Sequence, residues 1–369
     1  MKSPTRLLCS GLLLLALGCA SESPTTPVTV AGDEANFRIA GSPHQLVVMS
    51  RNIYVGADVD AVIGALSSPD PADDVPALLQ AVGTLQETDF SVRADGFARE
   101  IARTRPDIVG LLEVSQIDID LDLTPLGGPH IVAHEDFLPE IQAALARHRL
   151  PYRVAASNRN FAVEPVPGVK LVDYDVTLIG PGVHLEPGVV AKNFATNVGP
   201  VAPGVSLTYG YVLIPVRVHG QQYTVLTTHL QDDVGGTDLS LLRAAQMQEA
   251  VAALPATHPA VIIGDLNDEA GTPMYQVAAG AGFSDAWAVL RPGQPGYTCC
   301  HSTVLTTTRV PNQRIDFVLA RGFGRGSLPV GGFVARTGFL PWEMLAGPLH
   351  PIFVSDHLGL VAWLTNFQH

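Results

Sequence analysis

The polar residues of this chain that could do chemistry stand where apolar runs stop. Asn52 follows Val47-Val48-Met49-Ser50-Arg51, Glu113 closes Asp107-Ile108-Val109-Gly110-Leu111-Leu112, and His229 closes Tyr223-Thr224-Val225-Leu226-Thr227-Thr228. Asp265 and Asn267 follow Val261-Ile262-Ile263-Gly264, Asp316 sits inside Arg314-Ile315-Asp316-Phe317-Val318-Leu319, and Ser355-Asp356-His357 precedes the run from Leu358 to Leu364. A charge at the end of a buried strand costs desolvation energy unless it is paired or bound to a metal. One such carboxylate alone reads as a loop cap or a surface ion pair. Repeated along the chain, the pattern reads as convergence on one end of a sheet. The inventory is coherent: carboxylates and an amide suit a hard, oxygen-preferring cation, and two histidines suit acid, base or phosphate contacts.

The elements that must position these residues are short and β-branched. Leu46 to Met49, Asp107 to Val114, Asp175 to Ile179, Ala260 to Ile263, Ile315 to Leu319 and Leu358 to Leu364 read as buried strands. Tyr209 to Val218 and Gln222 to Thr228, joined by His219-Gly220-Gln221, read as a hairpin, so part of the sheet is antiparallel. Helices are expected within Val75 to Arg105, from Asp136 to Arg147 with Phe137, Ile141 and Leu145 on one stripe, and from Asp238 to Leu254. Glu164 to Lys170 and Pro341 to Pro351 read as rim loops. Interleaved strands, helices and hairpins point to α+β or mixed α/β layers.

Lys2 and Arg6, the apolar run from Leu7 to Leu17 and the small pair Gly18-Cys19 have the layout of an export signal over residues 1–18. The run is too short to span a bilayer. Ala16-Leu17-Gly18-Cys19 resembles a bacterial lipobox, which implies cleavage before Cys19, acylation of its thiol, and anchoring as an outer-membrane or cell-surface lipoprotein. Cleavage near Ala20 would instead give a secreted protein. Residues 19–43, poor in large apolar side chains, read as a flexible linker, and residues 44–369 as one catalytic domain. Without residues 1–18 the chain keeps 35 acidic against 20 basic residues, a formal charge of −15. Such a balance disfavours non-specific binding of a polyanion, although a bound cation and a local basic rim can invert the field at one site. Apart from Cys19, the only cysteines left are the neighbours Cys299 and Cys300, as a strained vicinal disulfide or as two thiols.

The order Met49-Ser50-Arg51-Asn52, Gly110-Leu111-Leu112-Glu113-Val114, Thr228-His229-Leu230, Gly264-Asp265-Leu266-Asn267, Arg314-Ile315-Asp316-Phe317 and Ser355-Asp356-His357 is similar to the ordered motif set of the endonuclease/exonuclease/phosphatase superfamily. The segments Arg51 to Asp58 and Gly296 to Cys300 further resemble an uncharacterised bacterial exported branch. Thr228-His229-Leu230-Gln231-Asp232-Asp233 resembles a stretch of bacterial sphingomyelinases, and deoxyribonucleases are relatives too. The resemblance implies an α/β four-layer sandwich of two mixed β-sheets flanked by helices, and a phosphodiesterase using Mg2+ or Mn2+. By position, Glu113 is the main metal ligand, assisted by Asn52 and Asp356. Asp265 orients or deprotonates water, Asn267 holds phosphate oxygens, and Asp316 fixes the tautomer of His357, whose other nitrogen faces the phosphate. His229 contacts the phosphate or protonates the leaving oxygen. Asp265 and His357 can exchange the role of base. Two positions depart from the pattern: Arg51 stands where many relatives have an aromatic residue, and Leu112 where Gln or Asn is common. Arg51 reads as a phosphate contact or a surface ion pair.

Other features carry less. Asp118, Asp120 and Asp122 alternate with Ile117, Ile119 and Leu121, which suits a solvated acidic edge strand or an accessory Ca2+ site but not an EF-hand. His130 and His134, beside a helix expected to start after His134, read as surface histidines. Phe339-Leu340-Pro341-Trp342 reads as core packing or a membrane-touching loop. Neither a Walker A loop nor a Gly-x-Ser-x-Gly elbow occurs. The substrate stays open between nucleic acid, for which Arg51, Arg159, Lys192 and Arg243 are scattered basic candidates, and phospholipid. A non-catalytic exported binding module is the competing reading, and no protein partner is inferred.

Overall fold

In a computed structural model of the chain, residues 45–367 are described apart from 69, 71, 125–127, 203–204 and 257. The expected signal, the linker and Cys19 lie outside the described residues. Two large sheets carry the fold. In the first, Gly332–Thr337, Gly359–Thr365, Gln45–Asn52, Ile108–Leu112, Val169–Ile179, Gln116–Asp122 and His130–Asp136 lie side by side, with Arg153–Val166 also paired to Val169–Ile179. In the second, Ser284–Asp285, Asp316–Arg321, Ala260–Asp265, Gln221–His229, Gly210–Val218 and His184–Leu185 follow one another, and Val190–Asn193 pairs with Gly210–Val218. Both sheets mix parallel and antiparallel pairs.

The two-residue period of a strand sorts its side chains between layers. Val48 and Ile108 point into the cluster between the sheets with Val261, Ile263 and Val318. Their neighbours Met49 and Val109 point the other way, onto Phe97 of helix Phe90–Thr104 and Phe137 and Ile141 of helix Phe137–Arg147. On the far side, Leu226, Ile262 and Phe317 meet Met247 of helix Ser240–Ala253 and Met274 of helix Pro273–Gly280. Helices, sheet, sheet and helices therefore form four layers, the expected sandwich. The sheets approach closely at Gly110: a Cβ there would lie 2.7 Å from Thr227 Cγ2 and 2.9 Å from Ile263 Cδ1. Beside it, Thr177 Oγ1 donates to Thr227 Oγ1 at 2.8 Å, a buried polar stitch between the sheets.

Several expectations change in detail. Val75 to Arg105 is two helices, Asp74–Thr88 and Phe90–Thr104, broken at Asp89, whose φ is positive and whose side chain caps the second. The hairpin turn is the pair His219-Gly220, both at positive φ, so Val218 faces Gln221. Glu164 to Lys170 is not a loop but the tip of a long hairpin, with Val166 opposite Val169. Pro341 to Pro351 contains a short 3-10 turn and a ribbon of Leu345–Ala346 with Pro351–Ile352. Trp342 is 74% exposed, so core packing does not account for it. His130–Asp136 is a strand, and His130 and His134 reach across to Asp120 and Asp118 at 2.6 and 2.5 Å. Asp122 accepts from the Thr124 N–H and hydroxyl, so each carboxylate of the acidic row has a protein partner through one oxygen. Among the described residues no helix is long and apolar enough to cross a membrane.

Gly110→Val would press two methyl groups against Thr227 and Ile263 and should cost about 1–3 kcal/mol of stability. A urea midpoint equal to that of the parent would contradict this close sheet approach.

Candidate active site

Strand register assembles the site. His229, Asp265 and Asp316 are direct partners across three adjacent strands of the second sheet: His229 faces Asp265, and Asp265 faces Asp316. In the first sheet Asn52 faces Leu112, so Glu113, the next residue, leaves the sheet beside it. Glu113, Tyr54 and Asn267 all have positive φ, +59°, +59° and +49°. Such backbone is costly for non-glycine residues and is held where the surroundings demand it. Here it turns each side chain toward a cavity of about 490 Å³ whose wall includes Glu113, His229, Asp265, Asn267, Asp356 and His357.

Asn52 and Asp316 stand behind that wall. The Asn52 amide donates to Glu113 Oε1 at 2.8 Å and to Asp265 Oδ2 at 3.1 Å, joining the two sheets. The Val55 N–H holds the other Glu113 oxygen at 2.9 Å, and the Asn267 N–H holds Asp265 Oδ1 at 2.9 Å. Asp316 Oδ2 lies 2.8 Å from His357 Nδ1, which leaves Nε2 for the cavity. Asp265 Oδ2 is 3.6 Å from His357 Nδ1 and 3.8 Å from His229 Nε2. The Asn267 amide N–H groups point to His229 Nε2 and Leu230 O, both at 2.9 Å, so in this arrangement Nδ1 carries the proton of a neutral His229. Both Asn267 donors are thereby engaged, and a hold on a phosphate oxygen requires one of them to be released.

Burial, then the negative Asp356, lifts Glu113 to about 7. Burial, then Asp316, lifts Asp265 to about 7. Burial opposes the charge on His357, but Asp316, Asp356 and Asp265 outweigh it and hold its pKa well above the ordinary histidine range. Carboxylates crowded in this way lack positive charge, and Asp316 Oδ1 has no hydrogen-bond donor of its own. Oxygen donors from Glu113, Asp265 and Asp356 fit a hard divalent cation such as Mg2+ or Mn2+. Asn52, expected as a ligand, turns its amide nitrogen to Glu113 and Asp265 while its Oδ1 accepts from the Tyr54 N–H at 2.9 Å, so it positions the ligand carboxylate instead.

Some parts were not foreseen. A ring nitrogen of His229 and carboxylate oxygens of Asp173 and Asp175 lie within 4.8 Å of one another, and burial pushes both carboxyls up, Asp175 well above the ordinary range. Only the alternation Asp173-Tyr174-Asp175 ahead of Val176 hinted at this pair. Arg51 is neither a phosphate contact nor a surface residue. It is buried, pairs with Glu100 through Nε at 3.0 Å and Nη2 at 3.2 Å, and donates from Nη1 to His357 O at 2.5 Å. Cys299 and Cys300 are joined as a vicinal disulfide in the cavity wall, with Cys300 Sγ 4.0 Å from His357 Nε2.

The family model described as Endonuclease/Exonuclease/phosphatase family matches residues 52–357. No curated protein matches the sequence. Among solved structures, an endonuclease/exonuclease/phosphatase from Beutenbergia cavernae DSM 12333 is similar, with 21% identity and a TM-score of 0.54 over 88% of this chain and 72% of that one. A family protein from Leptotrichia buccalis C-1013-b gives 14% and 0.51 over 86% and 99%. D. rerio TDP2 complexed with single strand DNA product gives 16% and 0.50 over 87% and 99%. At these identities the likeness is one of fold.

Removing Arg51 as Arg51→Met strands the buried Glu100 and should cost about 3–5 kcal/mol, most of it recovered in Arg51→Met/Glu100→Leu. Equal losses in the single and double variants on urea denaturation would refute the pairing. In metal-free protein Glu113, Asp265 and His357 all bind their protons more tightly folded than unfolded. Their contribution is therefore complete below the ordinary carboxylate range and is lost as pH rises through about 7 and then through the raised His357 pKa. Melting temperatures of chelated protein should fall between about pH 5 and pH 8, and Mg2+ should restore more stability at the upper end. A flat profile would count against the buried charge.

Proposed function

We propose that this chain, which belongs to the endonuclease/exonuclease/phosphatase family, is an exported, divalent-metal-dependent phosphodiesterase that acts on small phosphodiesters rather than on long nucleic acids. Members of the family are metal-dependent phosphoesterases. The observation that carries the reading is the convergence of Glu113, His229, Asp265, Asn267, Asp356 and His357 on one cavity.

Glu113 and Asp356 are the residues to hold the cation, and the Asn52 amide holds Glu113 in place for it. When bound, the ion neutralises the charge that crowds around the phosphate oxygens in displacement at phosphorus. Asp265, fixed by Asn52 and by the Asn267 N–H, is placed to orient the attacking water and take its proton. His357, held by Asp316, presents Nε2–H to a phosphate oxygen. A phosphate that draws the Asn267 N–H away from His229 frees Nε2 of that ring, which takes up a proton from solvent and then donates it to the leaving oxygen, with Asp173 and Asp175 beside the ring while it is protonated.

The preference for small diesters rests on where the basic residues are. Of the scattered candidates for a nucleic-acid rim, Arg51 is buried against Glu100, and Arg243 is held by Asp233 at 2.6 Å, Asp268 at 3.2 Å and Asp238 at 3.6 Å. Lys192 stacks on Tyr211. Among the described residues Arg309 is the one Lys or Arg in the cavity wall. Non-specific nucleic-acid affinity is built from phosphate contacts to Lys and Arg, and this acidic chain offers few. The single-stranded DNA held by D. rerio TDP2 marks the competing substrate class.

Hydrolysis of bis-(p-nitrophenyl) phosphate should require Mg2+ or Mn2+, stop on chelation, and fall about 10²–10⁴-fold in Glu113→Ala and in His357→Ala. Turnover that survives in both variants would assign the activity to something else. An inert wild type that nonetheless binds metal tightly would favour a binding module.

A further inference from the structure

A second hollow opens off the catalytic cavity. Its volume is about 90 Å³, and apart from Lys170 every residue lining it is apolar. One wall is Ile117, Ile119 and Leu121, the face of strand Gln116–Asp122 opposite the acidic row. Helix Asp74–Thr88 supplies Leu78, Ala81, Val82 and Leu85, and Val205 and Leu207 close the space from the short strand Val205–Leu207. The two hollows share Val55, Ala57, Val59, Phe161, Leu171 and Leu207. Val55 is the hinge between them, because its N–H holds Glu113 Oε2 at 2.9 Å while the residue also lines the apolar space. Hydrocarbon entering here therefore begins beside the metal-ligating carboxylate.

We infer that this gallery takes the hydrocarbon chain of a lipid-like phosphodiester whose phosphate sits at Glu113 and His357. The inference rests on the phosphodiesterase reading and names its substrate class. A space walled by carbon gives water no partners, so it is filled at a gain only by apolar groups. Half of its wall is buried, Leu78, Leu85, Ile117, Ile119, Val205 and Leu207 among it, and of the rest only Lys170 is exposed, so the gallery is a recess and not an exposed adhesive patch. A base or a sugar would leave its polar edges unpaired there. The same recess gives a role to the alternation of Ile117, Ile119 and Leu121 with three aspartates: the aspartates meet solvent and histidine, and the apolar partners face the chain.

The test uses alkylphosphocholines of about 4, 8 and 12 carbons, kept below their critical micelle concentrations. Binding to the purified, chelated protein is measured by calorimetry, and hydrolysis is measured with Mg2+. Affinity should rise by up to about fourfold for each added methylene until the gallery is full. Ala81→Phe and Val169→Phe fill the gallery from opposite walls without touching the catalytic residues, and each should flatten the chain-length series while leaving bis-(p-nitrophenyl) phosphate turnover unchanged. Two variants are used so that a folding defect in one does not decide the matter. A wild type indifferent to chain length, a series that both variants preserve, or preferred cleavage of single-stranded DNA would overturn the inference. A series that appears only after deletion of residues 21–44 would assign the gallery to the protein's own N-terminal segment and overturn it too. Chain-dependent binding that the variants abolish, without turnover of any diester, would sustain the gallery and defeat the phosphodiesterase reading instead.

Discussion

Three neighbouring strands of one sheet reach the same rung together, and on that rung stand His229, Asp265 and Asp316. Because side chains alternate along a strand, a slip of one residue in any of the three would turn its polar group to the opposite face. The register is fixed from below by the apolar set Val225, Val261, Ile263 and Val318, packed against the other sheet. Core packing and catalytic placement are thus one constraint. Asn52 carries the constraint across the sandwich, since its single amide nitrogen reaches both Glu113 of the first sheet and Asp265 of the second.

That geometry concentrates negative charge in a place that solvates it poorly. Glu113, Asp265, Asp173 and Asp175 all have carboxyls pushed above the ordinary range, with burial the largest cause in each. The protein meets part of the deficit with His357. The rest calls for a cation, and the oxygen-rich donor set matches that need. Arg51 sits just behind the cavity yet adds nothing to it, because Glu100 absorbs its charge and the backbone oxygens of Asn52 and His357 absorb its Nη1. Its contribution is to tie helix Phe90–Thr104 to the ends of two catalytic strands.

Much of this was legible in the sequence. Runs such as Val261-Ile262-Ile263 declare a strand buried on both faces, and a polar residue at the end of each run marks a common edge. Motif order supplied the layers. What escaped notice depended on partners distant in sequence. His130–Asp136 reads as the approach to a helix until Gln116–Asp122 pairs with it. Glu164 to Lys170 reads as a loop because Pro165, Pro167 and Gly168 break the local pattern, whereas the pairing of the flanking strands runs through it. Arg51 reads as exposed because a guanidinium is seldom buried, and Glu100, its partner, is 49 positions away. Asp173 and Asp175 look like ordinary strand polars until His229 is brought over them.

The hairpin turn at His219-Gly220 lies a whole nine-residue strand from His229, roughly 30 Å at the rise of an extended chain. Pairing distance is thus counted off at one pole of the molecule and spent at the other. A segment inserted at the rim lengthens only the rim, since the pairing of Gln221–His229 with Gly210–Val218 is set at the far pole and that of His229, Asp265 and Asp316 by the strand residues beneath them. The sandwich therefore works like a ruler clamped at its zero mark, on which the free edge can be recut for new substrates without recalibrating the scale.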